Sequence, residues 1–146
     1  MRKTVSMLVL GLVTAIAWAS LTVAAEESKP NLFVVVTSAE PQTQGMAMVL
    51  SMQSVKQGAK VQILLCGPGG DIALNGAPQT TLKPKNVTPQ AMLGMVMGMG
   101  VKAEVCALYL PNNGKSADDL MDGVGVAKPP VIASALLAPN TRLFTF

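Results

Sequence analysis

The segment from Asn31 to Cys66 constrains the fold more than any other part of the chain. Asn31-Leu-Phe-Val-Val-Val-Thr37 is a continuous β-branched and aromatic run, the pattern of a strand buried on both faces. Pro41 suits the first turn of a helix, and Gly45, Met48, Val49, Met52 and Val55 then recur with helical spacing as an apolar stripe. Gly58 stands where a left-handed C-cap is expected, and Lys60-Val-Gln-Ile-Leu-Leu-Cys66 reads as a second buried strand. Strand, helix and strand within roughly 35 residues make a βαβ unit, which demands parallel pairing and a right-handed crossover.

The pattern repeats downstream. Thr88 is an N-cap with Pro89 in the first helical position, and Met92, Met95, Val96 and Met99 form the expected inner stripe before Gly98 and Gly100. Val101 to Leu110 reads as a third strand containing Cys106. Ser116-Ala-Asp-Asp119 predicts the start of a short helix, with Leu120, Met121 and Val124 as its packing face. Pro129-Pro130 opens a last helix through Leu137, and Arg142 to Phe146 closes the chain as a strand. Ile72 to Asn86 reads as loop with a short extra strand at most. The alternation predicts an α/β fold, a three-layer α/β/α sandwich around a single mostly parallel sheet of about five strands with Rossmann-like or flavodoxin-like topology.

The first 25 residues read as a secretory signal. Arg2 and Lys3 precede an apolar run from Met7 to Ala19, and Val23-Ala24-Ala25 supplies small residues for cleavage after Ala25. The alternative is an uncleaved N-terminal membrane anchor. Export predicts a periplasmic or secreted protein with no stable membrane insertion once cleaved, and one domain over 26–146, enough chain for a single core. Without Arg2 and Lys3 the formal charge falls from +3 to +1, since all eight acidic residues remain. No Lys/Arg cluster is left to bind phosphates and aromatic residues are scarce, which excludes a nucleic-acid-binding surface.

The chain has no histidine, so Ser-His and Cys-His couples and histidine metal sites are ruled out. Asn112-Asn-Gly-Lys-Ser116 ends like a phosphate-binding loop but has Tyr109 where that motif needs glycine. Gly67-Pro-Gly-Gly-Asp-Ile72 places Ile72 where a dinucleotide fingerprint needs its third glycine. Asn86-Val-Thr88 is a formal glycosylation sequon, but Thr88 is better explained as a cap. Gly94-Met-Val-Met-Gly98 spells a helix-packing motif in a run too short to cross a bilayer, which points to close packing on the sheet or on another subunit. Ten methionines raise Cu(I) binding by Cys and Met, with Cys66 and Cys106 as the thiol ligands. The stripe positions make core filling the simpler use.

The two cysteines hold the remaining chemistry. Each falls near the carboxyl end of a predicted strand, where ligands gather in open α/β sheets. In an oxidising compartment one outcome is a Cys66–Cys106 disulfide, or two inert core thiols, within a non-catalytic oligomeric binding or structural module. The other is a reactive thiol whose pKa is lowered by backbone N–H groups or by a lysine such as Lys115.

Gly100-Val-Lys-Ala-Glu-Val-Cys-Ala107, followed by Gly114 and Asp118-Asp-Leu-Met-Asp-Gly-Val124, resembles the DsrE/DsrF-like family of sulfur-relay proteins. Leu32 to Thr37 and Leu143 to Phe146 are similar to that family's opening and closing strands. The resemblance implies a small α/β fold assembling into homo-oligomers (trimers or hexamers) or hetero-oligomers. It also implies a cysteine, matched here by Cys106 alone, that accepts sulfane sulfur as a persulfide and relays it to a protein partner, with no metal or nucleotide cofactor. Two departures accompany it. Ala-Leu-Tyr-Leu-Pro follows Cys106 where many relatives place glycine, polar or thiol groups, and the signal segment implies a partner outside the cytoplasm.

Overall fold

The structure, a computed structural model, describes residues 29–146. The signal segment 1–25 lies outside the described residues. Strand β1 (Asn31–Val36), helix α1 (Pro41–Lys56) and strand β2 (Lys60–Leu65) form the expected βαβ unit. A 3-10 segment (Gly67–Ala73) leads through a long loop to α2 (Pro89–Gly98) and β3 (Lys102–Val105). A short helix α3 (Tyr109–Asn112), a 3-10 turn (Ala117–Asp119), β4 (Gly125–Val126), α4 (Pro129–Leu136) and β5 (Thr141–Thr145) complete the chain.

All five strands are parallel, in the order β4-β3-β2-β1-β5. The first three crossovers step one way across the sheet, and the last returns past β1. With a constant crossover hand, forward and backward steps leave their helices on opposite faces. The packing follows that rule. Met48, Leu93 and Val96 of α1 and α2 join Leu32, Val34, Val36, Ile63, Leu65, Ala103 and Val105 in the main core, while Ile132 of α4 packs with Phe33, Val35 and Leu64 on the other face. The three layers are unequal, because α4 is short and only Ile132 of it is buried.

Helix starts follow their caps. Thr88 Oγ1 accepts from the Ala91 N–H at 3.1 Å, and a Glu40 carboxylate oxygen accepts from Thr43 N–H at 2.9 Å to begin α1. Gly58 takes φ +87° just past α1, the left-handed geometry that glycine adopts without a Cβ penalty.

Four expectations are corrected. The third strand ends at Val105, not Leu110, because the chain turns after Cys106 and carries Tyr109 and Leu110 down onto the core as a helical turn. The segment after Ser116 makes one 3-10 turn instead of a packed helix. Leu120 leaves it extended and bridges Leu74, with the Met121 N–H donating to the Ala73 carbonyl at 2.8 Å. Met95 (54% exposed) and Met99 lie at the surface, and Leu93 takes the inward place beside Met92 and Val96. A Cβ on Gly94 would meet only Met121 Cε at 3.9 Å and one on Gly98 would meet nothing, so that motif makes no close packing on the sheet. Between Ile72 and Asn86 the pairing among the described residues is limited to two isolated antiparallel bridges, Leu74 to Leu120 and Leu82 to Val87, with no extra strand. Among the described residues no helix is long and apolar enough to cross a membrane.

Candidate functional site

Parallel pairing aligns the carboxyl ends of neighbouring strands, and here it brings the two cysteines together. The β2–β3 register runs from Gln62 opposite Lys102 to Leu65 opposite Val105, so Cys66 and Cys106 form the next pair. The ladder continues far enough to hold them, since the Cys66 N–H donates to Val36 O at 2.9 Å and the Cys106 N–H donates to Leu65 O at 2.8 Å. Both residues are half-buried free thiols, and Cys106 acts on the protonation of Cys66 across the ladder. Burial pushes the Cys66 thiol up to about 11, helped by the hydrogen bond with Cys106 and by that neighbour's charge. Cys66 therefore keeps its proton at neutral pH.

The segment after Cys66 is held close by missing side chains. A Cβ on Gly69 would stand 2.2 Å from Val36 O, and one on Gly70 would stand 2.5 Å from the Tyr109 ring. The Gly69 N–H donates to Thr37 O at 3.2 Å and to Cys66 O at 3.1 Å, tying the 3-10 turn to β1 and to the cysteine. From the other side, the Tyr109 N–H donates to Cys106 O at 2.9 Å and its hydroxyl donates to Asp71 Oδ1 at 2.5 Å. Burial raises the Tyr109 phenol well above its ordinary value, and the Asp71 carboxylate adds to the rise. Tyr109 thus clamps the turn after one cysteine to the turn after the other. In sequence this clamp was visible only as a glycine doublet, the mark of a close backbone approach, and as a lone tyrosine in an apolar run.

Lys115 is exposed on the loop after α3, and its charge acts on Asp119. The Asp119 carboxyl is held below its ordinary value first by the Ser116 backbone N–H, which donates to Oδ2 at 2.7 Å, and then by the Ser116 hydroxyl and Lys115. Of the expected pair of site residues, Cys106 acquires a neighbour that sequence reasoning left outside the site, Cys66, while the contact given to Lys115 is an acid.

A buried charge missed in the sequence lies two residues before Cys106. Glu104 is 5% exposed, accepts from the Gln62 amide at 3.0 Å and pairs with Lys102 at 2.8 Å. Its two partners, Gln62 and Lys102, line a broad opening of about 320 Å³ at the opposite, amino-end side of the sheet. Among the described residues no group of three or more His, Cys, Asp and Glu side chains is placed to hold a metal ion. Cys66 and Cys106 are the soft donors that the fold brings together.

No protein-family model matches the chain, and no curated protein matches it by sequence. Solved structures do match. The ychN protein from E. coli superimposes with a TM-score of 0.66 at 19% identity, over 81% of this chain and 99% of that one. MTH1491 from Methanobacterium thermoautotrophicum, described as a protein of unknown function, superimposes with a TM-score of 0.59 at 11% identity, over 81% and 99%. Both neighbours have the DsrE-like fold, and this chain shares it.

Proposed function

We propose that this is an exported DsrE-like sulfur carrier in which Cys106 accepts sulfane sulfur as a persulfide. The observation that carries the reading is the place of Cys106 one residue past β3, at the carboxyl edge of the sheet and beside a second thiol. The ionised Cys106 sulfur attacks the sulfane sulfur of a polysulfide or persulfide donor. One S–S bond forms, another breaks, and the donor leaves as a thiolate or a shorter polysulfide, with no net redox change. The Cys66 S–H stabilises the attacking anion by donating to it, a task that other thiol sites give to a histidine or a lysine. The terminal sulfur then passes to an acceptor thiol on a partner protein in the periplasm or outside the cell.

Exposed apolar residues on α4 and β5, among them Leu137 (86% exposed), Leu143 and Phe144, support assembly into a homo-oligomer. The test of the carrier reading is intact-mass measurement after exposure of the reduced protein to polysulfide. A one-sulfur adduct is expected on the wild type and absent in Cys106→Ser. Equal adducts on both, or none on either, overturn it.

A further inference from the structure

We propose that Cys66 is a resolving thiol: it attacks the inner sulfur of the Cys106 persulfide, closes a Cys66–Cys106 disulfide and expels the carried sulfur as sulfide. This rests on the carrier reading of Cys106 and adds a second, reductive exit for the sulfur. The resemblance assigns no role to Cys66, so the inference stands on the geometry of this chain.

Three observations support it. The first is register: Cys66 and Cys106 are the pair after Leu65 and Val105 in a parallel ladder. Neighbouring strands lie about 4.8 Å apart, inside the Cα separation of roughly 4.4–6.8 Å that a disulfide spans. The second is the ladder itself, which continues past both strand ends through the Cys66 N–H to Val36 O and the Cys106 N–H to Leu65 O, so no rearrangement of elements is needed to bring the two residues side by side. The third is the clamp. Gly69 on Val36 and Tyr109 on Gly70 fix the turns that follow each cysteine, which holds the two cysteines side by side instead of letting the edge fray.

The step balances. Cys106–S–SH and the Cys66 thiolate give Cys106–S–S–Cys66 and HS⁻; the Cys66–Cys106 bond forms as the bond to the terminal sulfur breaks. The sulfane sulfur gains two electrons and becomes sulfide, and the two cysteines together give them up. The proton released from Cys66 goes to solvent. Return to the dithiol needs an external dithiol reductant, which leaves as its own disulfide. The proton that Cys66 retains at rest delays this step, so an acceptor protein has time to take the sulfur first.

The experiment separates this step from loading. Reduced wild type, Cys66→Ser and Cys66→Ala are loaded with polysulfide, freed of it by gel filtration and held without oxygen, while intact mass and released sulfide are followed. The wild type is expected to lose the one-sulfur adduct at least about tenfold faster than either variant. It should gain a species two hydrogens lighter than the dithiol and release one sulfide per chain. Both variants should keep the adduct on Cys106 and release none. An adduct equally long-lived in all three proteins overturns the resolving role and leaves the carrier reading intact. So does peptide mapping that finds the sulfur moved onto Cys66. Failure of the wild type and of both variants to load at Cys106 overturns both.

Discussion

Gly69→Ala tests whether the close approach of the 3-10 turn to β1 positions the thiols. The added Cβ would lie 2.2 Å from Val36 O, 2.6 Å from Val36 C and 3.0 Å from Thr37 N, all backbone atoms of a central strand. No rotamer relieves that overlap, so the turn itself must move by about 1 Å to reach ordinary contact. Movement weakens the Gly69 N–H bonds to Thr37 O and Cys66 O and shifts the backbone directly after Cys66. Overpacking of this kind costs about 1–3 kcal/mol. In a domain of this size each kcal/mol lowers Tm by about 4 °C, so a fall of about 4–12 °C is expected. Thermal unfolding by circular dichroism measures the first effect. The second is read by the rate at which a mild oxidant closes the Cys66–Cys106 disulfide, expected to fall by about tenfold when the sulfurs leave their reacting geometry. Gly76→Ala is the control, because its Cβ would meet nothing within 4 Å, although its positive φ carries a small cost of its own. A Gly69→Ala protein with wild-type Tm and oxidation rate would refute the claim that this contact fixes the site.

Tyr109→Phe removes a hydrogen bond from a buried phenol to a carboxylate and should cost about 1.5–3 kcal/mol in urea unfolding, with faster alkylation of Cys66 as the turn loosens. The raised Cys66 pKa means that the native state holds this proton more tightly than the unfolded chain. Its contribution to stability is complete below pH 9 and is lost as pH rises through about 11. Because the thiol is partly solvated, the loss should be about 1 kcal/mol, less than the full shift implies, and denaturant midpoints measured across that range should fall less in Cys66→Ala. Iodoacetamide should alkylate Cys66 in Cys106→Ala at lower pH than in the wild type, since the neighbour's charge and hydrogen bond are gone. Leu137→Glu combined with Leu143→Glu should convert an assembled protein to monomers in sedimentation velocity without lowering Tm by more than about 2 °C, because both side chains are exposed in the single chain.

Periodicity exposed the parallel architecture well. Continuous apolar runs located β1 and β2 to within a residue, the Thr88-Pro89 pair located α2 and the Pro129-Pro130 pair located α4, because in each the local preference and the tertiary demand agree. The reading failed where they part. Val101 to Leu110 is mostly apolar, broken only by Lys102 and Glu104, yet the strand stops at Val105; an apolar run records burial and not the backbone geometry that achieves it. Tyr109 and Leu110 are buried by folding back over the sheet edge, which no strand template anticipates. The Asp-rich segment carries a capping interaction but no helix after it, since the Leu120 bridge to Leu74 claims the backbone first. Met95 and Met99 kept the spacing of a stripe that Leu93 shifted by part of a turn. For the site, both cysteines near strand ends were visible in the sequence and their pairing was one of the alternatives, but whether they meet was left open. Cys66 and Cys106 are forty residues apart, and only the β2–β3 register, set by which face each strand buries, makes them neighbours.

That register explains how a chain without histidine can place a thiol for chemistry. In parallel neighbours, two residues that follow matched strand ends have no choice but proximity, and a second thiol can both donate a hydrogen bond and close a covalent bond to sulfur. A serine in place of Cys66 would still donate to an anionic Cys106 but could not close a covalent bond. An alanine could do neither. The two substitutions therefore divide the roles assigned to this residue: if Cys66→Ser loads sulfur on Cys106 as fast as the wild type while Cys66→Ala loads about tenfold more slowly, hydrogen-bond donation is what Cys66 supplies to the first step. Equal loading by both variants would show that Cys106 attacks without help, and would leave the second thiol with the resolving step alone.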